Sequence, residues 1–486
     1  GLSPFNQAKY DALLKGLEVS EIYVSKLERT TRLDSEFYSK FFLEIEEKLK
    51  KLDFEKISEL TKVSDGNHAK ISDYFSDEGV PYYRGGDIYN FFIEHAKAQS
   101  LKIPLNVYQW ENMKRSHLKK GDVLMSIVGA IIGNLSLVNN DERATCSCKL
   151  AILRPKTGKI DSNYLAIYLK SKFGQSQVQR LRRGSGQTGF ILEDFEQLFV
   201  ALPSDKLVDK VNELVTNSYD SLNQSNKTYQ QAEELLLEEL GLRDFQPSEQ
   251  GVNIKSLKDS FLSTGRLDAE YYQPKYDDYL ELIQNYSQGS KPLKKVCNLR
   301  DENFEPLSDE VYNYIELSNI GKSGDITGAT EDIGSQLPSR ARRIVNTDDV
   351  IISSIEGSLS SCALVTEDYD NALCSTGFYV INSREINSET LLVLFKSEPM
   401  QNILKQGCSG TILTAINKQE FQNIPVPLIE KEVQKTIQSL IQQSFALKAK
   451  SEQLLENAKT LVEMAIEQGE EKALTNYELG LLEDNL

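Results

Sequence analysis

The sequence has no Cys-x-x-Cys pair. Its six cysteines, Cys146, Cys148, Cys297, Cys362, Cys374 and Cys408, are scattered over 486 residues, which argues against a zinc site and against a disulfide framework. Histidine is scarcer: His68, His95 and His117 stand far apart, without H-x3-H or H-E-x-x-H spacing, so no metal centre is expected. No basic-then-apolar signal stretch follows Gly1-Leu2-Ser3-Pro4. The longest uncharged run, Val123 to Asn140, contains Gly129, Gly133, Asn134 and Ser136 and falls short of a membrane span; two adjacent buried strands are expected there. These absences together predict a soluble cytoplasmic protein.

Basic residues are also in deficit. Lys and Arg total 55 against 72 Asp and Glu, a formal charge of −17, whereas a phosphate-binding surface needs positive charge. Distribution counts for more than the sum. Lys170 to Leu192 holds Lys170, Lys172, Arg180, Arg182 and Arg183 and no acidic residue. Lys114, Arg115, His117, Lys119 and Lys120 form a second cluster, and Arg340, Arg342 and Arg343 a third. Part of the acidic excess falls on predicted helices, as at Glu233, Glu234, Glu238 and Glu239. One basic cluster alone reads as a solvated face; three in corresponding kinds of region weaken that reading.

What the chain does have is a long internal repeat. Arg32-Leu33-Asp34-Ser35-Glu36-Phe37-Tyr38 returns as Arg266-Leu267-Asp268-Ala269-Glu270-Tyr271-Tyr272, an offset of 234 residues that marks a duplicated domain rather than a solenoid. Gly121-Asp122-Val123-Leu124-Met125-Ser126-Ile127 is echoed by Asp348-Asp349-Val350-Ile351-Ile352-Ser353-Ser354-Ile355, Ser185-Gly186 by Ser409-Gly410, and Leu202-Pro203 by Val426-Pro427. Between the landmarks the copies diverge, chiefly over 61–120 against 300–345.

After each proline the pattern becomes helical. Val433, Ile437, Leu440, Ser444, Leu447, Ser451, Leu454, Ala458, Leu461 and Ala465 follow the 4,3 spacing of a coiled-coil seam, as do Val208, Val211, Val215, Ser218, Leu222, Ser225, Tyr229, Ala232 and Leu236. Each helix, roughly 36 residues, would be about 54 Å long, and the Ser and Ala positions predict a close approach. The remaining halves, short Val/Ile/Leu/Tyr runs broken by Gly, Asn, Asp and Pro, predict mixed α+β domains, mainly β, with helices such as Ser162 to Phe173 and Ser388 to Lys396. Residues 4–17 form a short amphipathic helix (Tyr10, Leu13, Leu14, Leu17), expected beside the end of the C-terminal helix in a pseudo-twofold, nearly cyclic arrangement.

Catalytic signatures fail on inspection. Gly184-Ser185-Gly186-Gln187-Thr188-Gly189 matches a dinucleotide loop but follows a basic helical stretch rather than a strand, and its counterpart from Gly407 lacks the third glycine. Ile320-Gly321-Lys322-Ser323 resembles the end of a Walker A loop, yet Glu316 stands where the first glycine is required. No Asn/Asp-Pro-Pro-aromatic methyltransferase motif occurs. Polar, turn-rich segments remain: Asp65-Gly66-Asn67-His68-Ala69-Lys70, then Val80-Pro81-Tyr82-Tyr83-Arg84-Gly85-Gly86-Asp87-Ile88, whose side chains suit purine edges or phosphate.

These segments, the Gly-Asp-Val-Leu-Met-Ser-Ile-Val-Gly strand, the Ser-Gly pair before each Leu/Val-Pro and the long helices resemble specificity subunits of type I restriction–modification enzymes. The second half joins the resemblance through Tyr314-Ile315-Glu316-Leu317-Ser318-Asn319-Ile320 and Asp349 to Ser353, but lacks the Asp-Gly-x-His segment. The resemblance implies a non-catalytic subunit without cofactor, made of two target-recognition domains separated by two long antiparallel coiled-coil helices. It divides into 1–27, an N-terminal helix completing the C-terminal helical region; 28–203, the first recognition domain; 204–245, the central spacer helix; 246–427, the second recognition domain; and 428–486, the C-terminal spacer and tail. The implied partners are double-stranded DNA carrying a split asymmetric site, two adenine-N6 methyltransferase subunits on the spacer helices, and restriction/translocase subunits. Expected DNA-facing residues are His68, Lys70, Arg84, Lys114, Arg115, Arg182, Arg183 and Gln187 in the first domain, and Arg340, Arg342, Arg343, Ser409 and Thr411 in the second. Two other classes stay open: a duplicated protein-interaction scaffold without DNA, and a nucleotide-binding enzyme using the Gly184–Gly189 loop.

Overall fold

The uncharged run from Val123 to Asn140 folds as two antiparallel strands, Val123–Ser126 and Leu135–Leu137, and every residue of both is buried. In this computed structural model, residues 6–25, 27, 32–93, 101–184, 189–410 and 414–481 are described. Contacts divide the chain into two units, Gly1–Asp220 with Lys450–Leu486, and Ser221–Ala449.

The first unit contains strands β1 (Phe54–Lys56), β2 (Thr61–Asp65), β3 (Val80–Tyr83), β4 (Leu101–Ile103), β5 (Val123–Ser126), β6 (Leu135–Leu137), β7 (Thr145–Cys146), β8 (Leu150–Pro155) and β9 (Phe199–Ala201). They make an antiparallel sheet in the order β2-β8-β5-β6, a smaller sheet β4-β3-β7 and a β1-β9 pair. The second unit contains β10 (Ser290–Pro292), β11 (Cys297–Arg300), β12 (Val311–Ile315), β13 (Thr330–Ile333), β14 (Ala341–Ile344), β15 (Val350–Ser353), β16 (Cys362–Leu364), β17 (Leu373–Ser375), β18 (Phe378–Ser383), β19 (Cys408–Ser409), β20 (Ala415–Ile416) and β21 (Pro425–Pro427). Its sheets run β11-β18-β15-β16 and β13-β12-β17-β14, with β10-β21 and β19-β20 pairs. The repeat therefore extends to topology, including one parallel pairing in each small sheet, β3 with β7 and β12 with β17.

Longer helices are α1 (Gln7–Leu14), α2 (Lys40–Lys50), α3 (Ser162–Lys170), α4 (Lys172–Leu181), α5 (Asp205–Glu239), α6 (Pro274–Gln284), α7 (Ser388–Lys396), α8 (Glu398–Gly407), α9 (Lys431–Gln468) and α10 (Glu470–Glu478). The helix expected to reach Phe173 stops at Lys170, because Ser171 turns extended. Its hydroxyl donates to the Tyr168 carbonyl at 2.6 Å, and Phe173 falls in α4. Gln175 and Gln401 then fasten the two copies alike, Gln175 donating to Gly133 and Leu169 carbonyls and Gln401 to Leu359 and Phe395 carbonyls. Residues 17 and 18, beyond α1, accept from the Lys40 side chain and backbone, while Leu13 and Leu17 stay exposed.

The repeated landmarks are internal braces. Asp122 and Asp349, each just ahead of a fully buried strand, are themselves buried. Asp122 accepts from two guanidinium nitrogens of Arg154 at 2.7 Å, whereas Asp349 receives Asn382 at 2.9 Å and an Arg300 donor. The cation has moved to a different strand, but the charge is still paired, as burial demands. The Arg-Leu-Asp motif works identically twice. Arg32 grips Asp34 with two donors at 2.6 Å and reaches the Leu181 and Arg182 carbonyls; Arg266 grips Asp268 and reaches those of Gln406 and Cys408.

In the first unit the Ser218 hydroxyl donates to the Ser451 carbonyl at 2.8 Å, and the Ser204 amide donates to Glu470 at 3.0 Å. Rising numbers on α5 thus meet falling numbers on α9 and its continuation: the pairing is antiparallel. In the second unit Ser225 and Ser444 exchange the same contact, hydroxyl to carbonyl, at 2.7 and 2.9 Å. Of the seam positions, Val211, Val215, Ser218, Ser225, Ala232, Leu236, Ile437, Ser444, Ser451, Ala458, Leu461 and Ala465 are buried. Val208, Leu222, Tyr229, Val433, Leu440, Leu447 and Leu454 are only half-buried, while Leu207, Leu214, Ser221 and Thr228 are buried instead. The buried stripe is wider than a two-helix seam because α5 and α9 also cover the sheet-bearing core of the unit, as Ala232, Leu236, Ile437 and Ile441 do in the second.

Candidate nucleic-acid interface

The polar segment after β2 is held against the end of β7. A Cβ on Gly66 would lie 2.4 Å from the carbonyl oxygens of Cys146 and Ser147, so the close approach requires glycine. Asn67 donates its amide to the Cys146 carbonyl at 2.8 Å and accepts from Cys148 at 3.0 Å, and its side chain closes an Asx turn on Ala69. His68 is left exposed, with Nε2 2.6 Å from the Asp65 carboxylate. That buried carboxylate also accepts from the Arg115 guanidinium. One anchored carboxylate therefore fixes two surface groups, with charge-assisted bonds that set their direction. Lys70 is exposed just beyond, and Lys114 pairs with Glu111 at 2.5 Å.

The turn after β3 lies at the same end, since Ser147 donates its amide to the Tyr83 carbonyl at 2.9 Å. The Arg84 amide is capped by Asp87 at 2.7 Å, and its exposed guanidinium keeps Nε 3.4 Å from that carboxylate. Next to this turn are Ser126 and Ile131, and the strand end continues to Ile127, whose carbonyl accepts from Phe190 at 3.0 Å. Arg183 and Gly189 exchange backbone hydrogen bonds at 3.0 and 2.9 Å, and the Arg183 guanidinium pairs with fully buried Asp194. The structure thus brings His68, Arg84 and Arg115 around the end of β7, with Arg183 on the adjoining rim. Arg182 is half-buried, with Nε lacking a hydrogen-bond partner among the described residues. Gln187 lies outside the described residues.

Three of the five basic residues in the 170–192 run belong to packing. Lys170 lies near Lys459 and Glu456 of α9, and burial pushes its ammonium down from the usual range. Lys172 pairs with Glu467 at 2.9 Å. Arg180 covers the Phe37 ring at 4.3 Å and donates to Glu46 at 2.6 Å. His117 stacks on Tyr108 with ring centres 3.8 Å apart. Conversely, exposed Lys149 belongs to the rim, its carbonyl accepting from the Ile127 amide at 3.1 Å. It went unnoticed in the sequence because it stands alone between Cys148 and Leu150.

In the second unit the third basic cluster occupies the place of the second. β14 pairs antiparallel with β17, Ile344 opposite Leu373, just as His117 bridges Thr145 of β7. Arg340 is exposed, its carbonyl accepting from Thr376 at 2.9 Å. Arg342 donates to the Ser339 carbonyl at 3.1 Å and pairs with Glu305. Arg343, opposite Cys374, buries Nε and Nη1 without a hydrogen-bond partner among the described residues. Ser409 is exposed at the end of β19, and Thr411 lies outside the described residues. The Walker-like fragment is a turn: the Gly321 amide donates to the Asp325 carbonyl at 2.8 Å, and Asp325 pairs with Lys448 at 2.5 Å. Among the described residues no cluster of three His, Cys, Asp or Glu is placed to hold a metal, and no helix is long and apolar enough to cross a membrane.

The chain is similar to known proteins. The sequence profile described as the type I restriction modification DNA specificity domain matches twice, over residues 49–236 and 289–458. The chain belongs to that specificity family. One match falls on each repeat, so the family's domain is present in two copies. The specificity subunit of the type I restriction enzyme EcoBI from Escherichia coli is 30% identical over 102 residues, which is 21% of each chain. The match therefore spans about a fifth of that curated relative. Among solved structures, the S subunit of a type I restriction-modification system from M. genitalium aligns over 85% of this chain and 95% of its own, at 15% identity and a TM-score of 0.35. The HsdS subunit from Thermoanaerobacter tengcongensis aligns over 86% and 97%, at 14% identity and 0.29.

Proposed function

We propose that this chain is the DNA sequence-specificity subunit of a type I restriction–modification complex and is not itself catalytic. Residues 28–203 and 246–427 act as two target-recognition domains, each reading one half of a split, asymmetric site in double-stranded DNA. Residues 204–245 and 428–486 are the spacers, with 1–27 completing the second, and they space the half-sites by roughly one DNA turn, about 34 Å. Two adenine-N6 methyltransferase subunits dock on the spacers, restriction/translocase subunits join the larger assembly, and the complex acts on DNA in the cytoplasm.

The observation that carries the reading is the coincidence of two family matches with two rims, each built beside a parallel strand pair and each carrying a basic segment. His68, Lys70, Arg84, Lys114, Arg115, Arg182, Arg183 and Gln187 face DNA in the first domain, and Arg340, Arg342, Arg343, Ser409 and Thr411 in the second. The carboxylate partners of these bases leave donors over, because a guanidinium has five.

The test is co-expression with the methyltransferase subunits, followed by mapping of methylated adenines. A bipartite motif is the expected result, with Arg84→Ala relaxing one position of one half at a cost of about 1–3 kcal/mol. The chain alone should bind DNA weakly and with strong salt dependence. Absence of sequence-dependent methylation, or tight binding by the chain alone, would overturn the proposal.

A further inference from the structure

The reading head of the second unit has no counterpart of Asp65-Gly66-Asn67-His68 in sequence, so its base-reading position has to be found by superposing topology. Arg84 is the first residue beyond β3, whose Tyr82 and Tyr83 pair in parallel with Thr145 and Cys146. Glu316 is the first residue beyond β12, whose Tyr314 and Ile315 pair in parallel with Leu373 and Cys374. Both then enter a 3-10 turn, Gly85–Asp87 and Leu317–Asn319. The backbones agree, with φ −112° and ψ 171° at Arg84 against φ −106° and ψ 172° at Glu316. The last turn residue caps the residue before the turn in both: Arg84 donates its amide to Asp87 at 2.7 Å, and Glu316 donates its amide to Asn319 at 2.8 Å.

We propose that Glu316 is a specificity-determining residue of the second unit, accepting a hydrogen bond from the exocyclic amino group of a base, cytosine N4 foremost. The inference rests on the DNA-specificity reading and names the residue that reads on the second side.

The chemistry of the two turns is complementary. An arginine donates to the O6 and N7 acceptors of guanine, whereas a carboxylate accepts from an amino group. The cap has changed with it. Asp87 lies 3.4 Å from the Arg84 guanidinium and moderates a positive charge, while the neutral Asn319 makes the same backbone contact without placing a second carboxylate beside Glu316. A carboxylate facing phosphates would only repel them. Here phosphate-directed charge is supplied separately by exposed Arg340, and both groups lie near the Tyr314 hydroxyl, which burial raises most, a hydrogen bond with Ser375 lowers, Glu316 raises and Arg340 lowers. At the equivalent Tyr82, burial again raises the hydroxyl and Arg84 opposes the rise. The second head therefore separates the base-directed group from the phosphate-directed one.

The experiment is methylated-motif mapping of the complex carrying the wild-type chain, Glu316→Gln, Glu316→Arg or Arg84→Gln, with thermal melting of each chain. The near-isosteric Glu316→Gln should relax one position, with discrimination there falling about 5- to 150-fold, in the half-site not affected by Arg84→Gln. Glu316→Arg should move that position toward guanine. If both Glu316 variants melt as the wild type and leave the motif unchanged, or weaken all sequences alike, while Arg84→Gln alters one half-site, this proposal falls and the DNA-specificity reading stands. If the wild-type complex itself methylates without a sequence motif, both fall.

Discussion

The hydroxyl of Ser218 donates to the backbone carbonyl of Ser451 at 2.8 Å and meets the Ser451 hydroxyl at the same distance, both groups being buried. Contact between a side chain on one helix and the backbone of the other leaves no room for a larger residue. Ser218→Leu should therefore destabilise by about 1–3 kcal/mol through overpacking. Ser218→Ala, which keeps the spacing and loses one hydrogen bond, should cost about 0.5–1.5 kcal/mol. Urea unfolding of the two variants checks the order, and an alanine variant less stable than the leucine one would contradict it.

Gly66 offers a second probe. An added methyl would meet two carbonyl oxygens at 2.4 Å, and neither is the end of a flexible side chain. Gly66→Ala should force the 66–68 segment away from β7 and lower stability by about 1–3 kcal/mol. Because Asp65 organises both Arg115 and His68, the same variant should weaken DNA binding more than Lys70→Ala does. Thermal melting and filter binding report the two effects separately.

The thiols are predicted to divide sharply. Cys148 is half-exposed, whereas the other five are buried. Burial also pushes Cys297 and Cys362 up to about 12 and Cys408 up to about 11, leaving little thiolate at neutral pH. Iodoacetamide on the native chain at pH 8 should label Cys148 first, with the rest reacting only on unfolding. Mass spectrometry of the labelled peptides decides, and equally fast labelling of Cys362 would contradict the packing of the second core.

Acid sensitivity should be traceable to Glu46. Burial raises its carboxyl, but hydrogen bonds from Lys50 and Arg180 outweigh burial and hold it at about 2, against an ordinary 4.5. A carboxylate depressed in the folded state stabilises fully above its unfolded value and loses that contribution as pH falls through the folded one. The stability gap between wild type and Glu46→Gln should therefore be constant above about pH 4.5 and close between there and pH 2. Thermal unfolding across that range measures it.

Much of the frame was legible because its signals are periodic or repeated. The 4,3 spacing located the long helices, the uncharged Val123–Asn140 run located two strands, and the Arg-Leu-Asp repeat exposed the duplication. The seam was read too narrowly, since periodicity alone cannot tell that Leu207 and Leu214 are buried as well. Charge runs were less informative than they looked. Lys170, Lys172 and Arg180 share a segment with Arg183 but point into helix packing, a distinction made by helical rotation and tertiary neighbours. In the sequence Glu316 stands where a phosphate loop needs glycine and also inside the Tyr314–Ile320 segment that carries the resemblance, while its correspondence with Arg84 shows in strand pairing and backbone angles and not in residue type.

The grip of Arg32 on the Leu181 and Arg182 carbonyls, and of Arg266 on those of Gln406 and Cys408, is indifferent to what those residues are. Every amino acid offers the same carbonyl. The chain leaving each clasp can therefore exchange its side chains while its anchorage stays unchanged.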